Sequence, residues 1–344
     1  MSSSPSQPFS VPVSILDLAH IGPGESVRDS FDASVELARH AEKWGYRRIW
    51  YAEHHNMRTI ASSATSVLIG HVAANTTTIR LGSGGVMLPN HAPLTIAEQF
   101  GTLATLHPGR IDLGLGRAPG SDQQTMRAMR RDPSSADRFP QEVQELQGFL
   151  SDNSLVPGVV ATPGAGTGVP LYILGSSLFG AQLAAALGLP FAFASHFAPD
   201  ALEQAVSIYR REFRPSDQLD APYVIAGVNV IAADTEADAQ QQFLATKRSR
   251  VSLLLGRGRT FTDEEADMIL DAPQGRQIMQ MTKYSAVGTP ATVRDYLDRF
   301  VRHADADELI VASGVVDRAS WLRSYELLAE ATNLRSEEPA TSAV

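Results

Sequence analysis

The stretch IRLGSGGVMLPNHAPLTIAEQFGTLATLHPGRIDLGLGRAPG, Ile79 to Gly120, reads as one strand–helix–strand unit. Ile79–Leu88 is β-rich but interrupted by Gly82, Gly84 and Gly85. Leu94–Leu106 carries the apolar spacing of a helix, and Ile111–Gly116 is a second strand. Two strands joined through a helix pair in parallel. Glycine inside a strand is unfavourable unless a backbone or a ligand must come close, or a bulge bends the strand.

The same alternation continues on both sides. Upstream lie a strand in Val11–Ala19, a helix in Ser30–Gly45, the strand Arg48–Ala52 and a helix in Ser63–Asn75. Downstream come a helix in Phe139–Leu150, a strand in Pro170–Leu174, a helix in Leu178–Leu187 and a strand in Phe191–Ser195. They are followed by a helix in Ala201–Phe213, the seventh strand Tyr223–Ala232 and the eighth, Glu308–Ala312. Val293, Tyr296, Leu297, Phe300 and Val301 mark an amphipathic helix before the last strand. Eight parallel strands predict an α/β fold, a TIM (β/α)8 barrel with a helical insertion between strands 7 and 8. The insertion holds LLLGRGRT (Leu253–Thr260), a Gly/Arg-rich break suited to a mobile loop. Residues 1–10 and 335–344 read as polar tails around a single domain, 11–334.

A doubly wound open sheet is the competing architecture, and it would want G-x-G-x-x-G after its first strand. IGPGES (Ile21–Ser26) has the wrong spacing, and GAGTG (Gly164–Gly168) precedes a strand. Both read as loops.

A barrel gathers chemistry where its strands end. The second strand ends in Glu53-His54-His55-Asn56. Neighbouring residues of an extended strand face opposite ways, so one imidazole at most enters the mouth. It is a candidate acid–base group near neutral pH, against a plain structural hydrogen-bonder. No metal-ligand spacing accompanies it. Gly84-Gly85 present bare backbone on which a flat ring can lie. Gly116 ends the fourth strand, and Arg117 follows as a phosphate-gripping candidate, against a surface salt bridge. Gly175-Ser176-Ser177 precede a helix, where hydroxyls cap and free N–H groups attract phosphate. His196 and Phe197 end the sixth strand at the same opening.

Net charge is −9 over 344 residues, so no basic field holds nucleic acid or an anionic membrane. No run is apolar long enough to span a bilayer. The first residues lack the features of a signal peptide. Cysteine is absent, which excludes disulfides and thiolate chemistry and makes a cytoplasmic location the expectation.

WYAEHHN (Trp50–Asn56), LGSGGVMLPNHAPL (Leu81–Leu94), GRIDLGLGRAPG (Gly109–Gly120), LYILGSS (Leu171–Ser177) and VGTPATV (Val287–Val293), taken in order, resemble the bacterial luciferase-like monooxygenases over about residues 12–330. The closest look is to the antibiotic-tailoring branch of actinobacteria, which implies a larger organic substrate. The resemblance implies a barrel binding FMN, or in some branches F420, at the mouth. It puts His54 at the catalytic base with Glu53 beside it, and Gly84-Gly85 at a non-prolyl cis peptide under the flavin. Arg117, Ser176 and Ser177 fall on phosphate-binding positions. Gly116, Gly175 and His196 stand where luciferase has a cysteine, a glutamate and a tryptophan, so Gly175 departs at the phosphate end and His196 alters the pocket.

The implied activity is an FMNH2-dependent, O2-using monooxygenase of an unidentified organic substrate, supplied with reduced flavin by a separate flavin reductase. His54 would manage protons, the Arg257/Arg259 loop would close over the site, and a homodimer is compatible. The rivals are an F420-dependent hydride-transferring oxidoreductase on the same barrel and a non-catalytic flavin-binding relative.

Overall fold

The computed structural model describes residues 9–118, 122–256 and 259–334. Its strands are β1 (Val13–Asp17), β2 (Arg48–Tyr51), β3 (Arg80–Met87), β4 (Ile111–Gly116), β5 (Leu171–Gly175), β6 (Phe191–Phe193), β7 (Val224–Ala232), β8 (Ser285–Gly288) and β9 (Glu308–Ala312). Every pairing is parallel. The ring β1-β2-β3-β4-β5-β6-β7-β9 closes through β9 on β1, an eight-stave barrel. Helices Val27–Trp44, Thr65–Ala73, Pro93–Leu106, Phe139–Leu150, Leu178–Leu187, Leu202–Glu212, Pro290–Ala304 and Arg318–Thr332 follow the staves in turn.

The first helix begins where IGPGES ends. Ser26 and Asp29 form a capping box, and Gly45 at φ 87° stops the helix in the left-handed region. That segment is therefore the loop the sequence predicts.

The expected eighth stave, Glu308–Ala312, closes the ring but is the ninth strand along the chain. β7 outruns the ring, and its last residues, Asn229–Ala232, pair with β8 outside it. Four small residues carry too little periodicity for β8 to stand out. The helical insertion, Glu236–Leu255, Asp263–Asp271 and Gly275–Met281, lies between β7 and the last stave. The expected loop at Leu253–Thr260 is corrected at its start, because Leu253–Leu255 form the last turn of a helix. Arg257 falls outside the described residues. Arg259 pairs with Glu265 and lies 4.9 Å over the Phe261 ring, engaged within the insertion.

The expected tails fall mostly outside the described residues, but Phe9 is part of the body. Its N–H donates to Thr332 O at 3.3 Å, and the Arg294 guanidinium sits 5.0 Å over its ring. No helix among the described residues is long and apolar enough to cross a membrane.

Strands covered on both faces are buried throughout, as in β1, β2, β4, β7 and β9. Inside the ring Leu16, Trp50, Ala52, Tyr172, Ala192, Ile225 and Ile310 make one apolar layer. Beneath it, at the strand starts, lies an ionic layer. Buried Arg48 donates to Asp112 at 2.8 Å, to Tyr172 Oη at 2.8 Å and to Glu308 at 3.2 Å. Tyr223, Ser14 and Arg80 complete the pairing of the two carboxylates. A buried charge persists only when paired and hydrogen-bonded, and here each has partners. This layer plugs the N-terminal end of the barrel, which leaves the other end for chemistry.

Candidate active site

Glu53 follows β2 and is buried, with 1% of its surface exposed. It accepts hydrogen bonds from His55 Nε2 at 2.9 Å, His91 Nε2 at 2.8 Å, the Met87 N–H at 3.0 Å and Asn90 Nδ2 at 3.4 Å. Burial alone would raise its pKa, but the bonds from His55, His91 and Met87 outweigh it and hold the carboxyl at about 2. The Glu53 bond in turn raises the His55 pKa. Glu53 is thus a fixed anion that ties the end of β2 to the segment after β3.

His54, between Glu53 and His55, is half-buried. Its N–H donates to Ser62 O at 3.1 Å, and its ring is close enough for a charge there to act on His196. Asn56 donates to Asp122 at 3.0 Å, joining the loops after β2 and β4.

The Gly84–Gly85 peptide is cis, as the resemblance implied. The pair also makes the bulge that its glycines allowed, since the β3–β4 register shifts between Ser83 and Val86. The space is full on the barrel side. A Cβ on Gly84 would stand 2.8 Å from Leu16 Cδ1 and 2.9 Å from Trp50 Cβ, and one on Gly85 would stand 2.8 Å from Gly114 O. Glycine is needed here for packing against Trp50 and β4, whatever lies above it. Gly116 is similar, its Cβ meeting Met87 Sδ at 2.8 Å, whereas a Cβ on Gly175 meets nothing nearer than 3.5 Å.

Arg117 is exposed at the end of β4, its guanidinium 4.1 Å over the ring of Phe179. Phe179 lies in the first turn of the helix after β5, so the cation stands at that helix's N-terminus. Ser177 is the N-cap by its extended backbone, but its side chain makes no capping bond. The first N–H groups therefore keep their capacity for an anion. Arg117 thus stands beside the helix whose N-cap is Ser177.

His196 follows β6 with its ring edge-on to Phe197 at 5.2 Å and its Nδ1 packed on Gly227. Burial, then the charges of Arg250 and His54, lower its pKa to about 3, so it is neutral near pH 7. The strand ends therefore carry His54 after β2 and His196 after β6, a glycine pair in β3, and Arg117 beside a helix start with no side-chain cap. A planar cofactor with a phosphate tail fits that donor set.

Sequence reasoning passed over His91, His20, Asn229 and Arg250. His91 stands inside a quoted motif, but nothing in the spacing pairs it with Glu53. Arg250 is one basic residue among several in a long helix.

The luciferase-like monooxygenase family model matches residues 11–307. The chain is 53% identical over 319 residues to a luciferase-like monooxygenase of Escherichia coli K12, covering 91% of this chain and 95% of that one. It is 33% identical over 334 residues to the N-acetyl-S-alkylcysteine monooxygenase of Bacillus subtilis, covering 93% and 97%. Among solved structures, apo-MsnO8 is similar with a TM-score of 0.86 and 36% identity, covering 95% and 99%. The fold is shared at lower identity with the oxygenating constituent of 3,6-diketocamphane monooxygenase in complex with FMN, at 17% and a TM-score of 0.70, covering 94% and 98%. It is also shared with an F420-dependent secondary alcohol dehydrogenase, at 15% and 0.68, covering 94% and 99%.

Proposed function

The chain belongs to the luciferase-like monooxygenase family, and from that premise we propose that it binds reduced FMN and uses O2 to oxygenate a small organic substrate. The observation that carries the choice of FMN is the anion site: Arg117 over Phe179, beside an N-terminus with no side-chain cap. It suits one compact terminal phosphate. Bound there, reduced FMN supplies two electrons, so that one oxygen atom of O2 enters the substrate and the other leaves as water.

The residues of this chain do the rest. Arg117, Ser176 and Ser177 hold the phosphate, and the Gly84-Gly85 edge lets the ring approach the strand. Gly116 and Gly175 keep the ends of β4 and β5 free of side chains, though Gly116 also makes room for Met87. His54 holds or delivers a proton at the mouth. Glu53, through His55 and His91, positions the loop that carries His54. His196, uncharged, walls the ring without attracting water as a cation would.

Reduced flavin comes from a separate reductase, because the glycine-rich segments of the chain, Ile21–Ser26 and Gly164–Gly168, serve as loops and not as a dinucleotide fingerprint. The test is titration of the protein with FMN and with F420, then turnover of photoreduced FMN under ¹⁸O₂ with candidate thioethers and ketones. Mass-spectrometric incorporation of one ¹⁸O supports the reading. Preference for F420, with no ¹⁸O in any product, would replace it by hydride transfer. Tight FMN binding without a product from any donor would leave a binding protein.

A further inference from the structure

We propose that Arg250 is a specificity-determining residue that receives a carboxylate of the organic substrate, at the end of β7 and apart from the helix start beside Arg117. The inference rests on the reading of the mouth as a flavin oxygenation site.

The helix Glu236–Leu255 crosses the ends of β7 and β9. Thr246 Oγ1 donates to Gly314 O at 2.8 Å, just past β9. One turn on, Arg250 Nη2 donates to Asn229 Oδ1 of β7 at 2.7 Å, and Nη1 reaches Met281 O at 3.3 Å. Asn229 in turn donates to His196 O at 2.7 Å. Through Asn229 the guanidinium is joined to the loop after β6, so it lies at the end of β7 where the barrel opens.

Among the described residues this cation has no counter-charge. Both acceptors are neutral, and among the described residues no carboxylate pairs with it. Arg248, about 200° away around the same helix, shows the contrast: it pairs with Asp263 and Asp267 on the outer face. Burial pushes the Arg250 guanidinium below its ordinary range. An unpaired, part-buried charge is costly unless something compensates it. The guanidinium has several N–H donors in a planar fork, of which two nitrogens are used within the chain. The remainder suit a planar monoanion.

The cofactor is the wrong source of that anion. Its phosphate site follows β4 and β5, whereas Arg250 is held at β7, two staves past β5 in the ring. The site has one cation and no second cationic partner, since His196 is held neutral. A single negative charge matches it. Phe197, 43% exposed beside His196, offers an apolar surface for the rest of the molecule.

The experiment uses the FMN-loaded protein and paired probes, N-acetyl-S-methylcysteine and benzoate against their methyl esters, by calorimetry and flavin absorbance. The expected result is that at least one acid binds about tenfold or more tighter than its ester. R250Q removes that preference, R250K keeps part of it, and FMN affinity is unchanged in both. Acids that bind no better than esters in the wild-type protein overturn the proposal, whether or not the variants fold. So does an R250Q protein that keeps the preference, or one that loses FMN affinity but not riboflavin affinity. If the wild-type protein fails to retain FMN, the flavin reading falls, while acid-over-ester binding to the chain alone still decides the role of Arg250.

Discussion

His91 Nε2 lies 2.8 Å from Glu53 Oε1, a contact that locks the residue after β2 to the segment after β3. The carboxyl is ionised in a buried place only because His91, His55 and the Met87 N–H all donate to it. Replacing it with glutamine turns an NH2 toward at least one of those donors. Glu53→Gln should lower the melting temperature by roughly 5 °C, read by calorimetry, and His55 should titrate nearer its ordinary value, read by NMR. An unchanged melt would mean that the network holds nothing in place.

The same group sets a pH window. Glu53 has a folded pKa of about 2 against an ordinary 4.5, so its stabilisation is present above the ordinary value and lost as pH falls toward 2. His55 runs the other way, since its raised pKa stabilises below 6.5 and the contribution is lost as pH rises through the folded value. His196, lowered to about 3, contributes above 6.5 and loses this as pH falls. Melts of wild type and Glu53→Gln from pH 3 to 8 should diverge above about pH 4.5 and converge below it. Parallel curves would remove Glu53 from the acid limb.

His55 is spent on Glu53, which leaves His54 as the imidazole we assign to proton handling. His54→Ala should lower turnover by about a hundredfold or more and leave the FMN dissociation constant within about twofold. A variant as fast as the wild type on its own substrate would take His54 out of the reaction.

Much of this was legible along the chain because short apolar runs end in residues that an ordinary strand end does not need. Arg117 and Ser176-Ser177 could be joined in advance, since both sit where a stave meets the mouth. Gly84-Gly85 carried two readings, a bulge and a bare surface, and the bulge is present. What stayed hidden depends on distance along the chain. The Glu53 partners at Met87, Asn90 and His91 lie over thirty residues away, and the Arg250 environment forms only when the insertion folds back onto β7. β8 was hidden for a different reason: four residues pairing outside the ring carry no pattern of their own.

The anion site predicts a difference between two ligands. Arg117→Ala removes a charge at that helix start that a phosphate would meet. FMN affinity should fall about ten- to a hundredfold, while riboflavin affinity should not change. Fluorescence quenching with both ligands reads this directly. Equal losses would mean that Arg117 holds Phe179 and the loop in place instead.

Glycines at strand ends separate packing from ligand need. A Cβ on Gly82 would lie 2.6 Å from Asp112 O and 2.9 Å from Trp50 Cδ1, so β4 or the Trp50 layer must shift. Gly82→Ala should therefore cost roughly 1–3 kcal/mol, seen as a lower denaturation midpoint even without cofactor. At Gly175 the nearest atoms are Gly180 Cα at 3.5 Å and Phe191 Cε2 at 3.7 Å, ordinary contacts. Gly175→Ala should leave the midpoint unchanged, and any effect must then appear in FMN affinity, because that methyl would sit against the first turn of the helix after β5. If Gly175→Ala unfolds as readily as Gly82→Ala, the space at the end of β5 is not open, and the helix start there is no place for a phosphate.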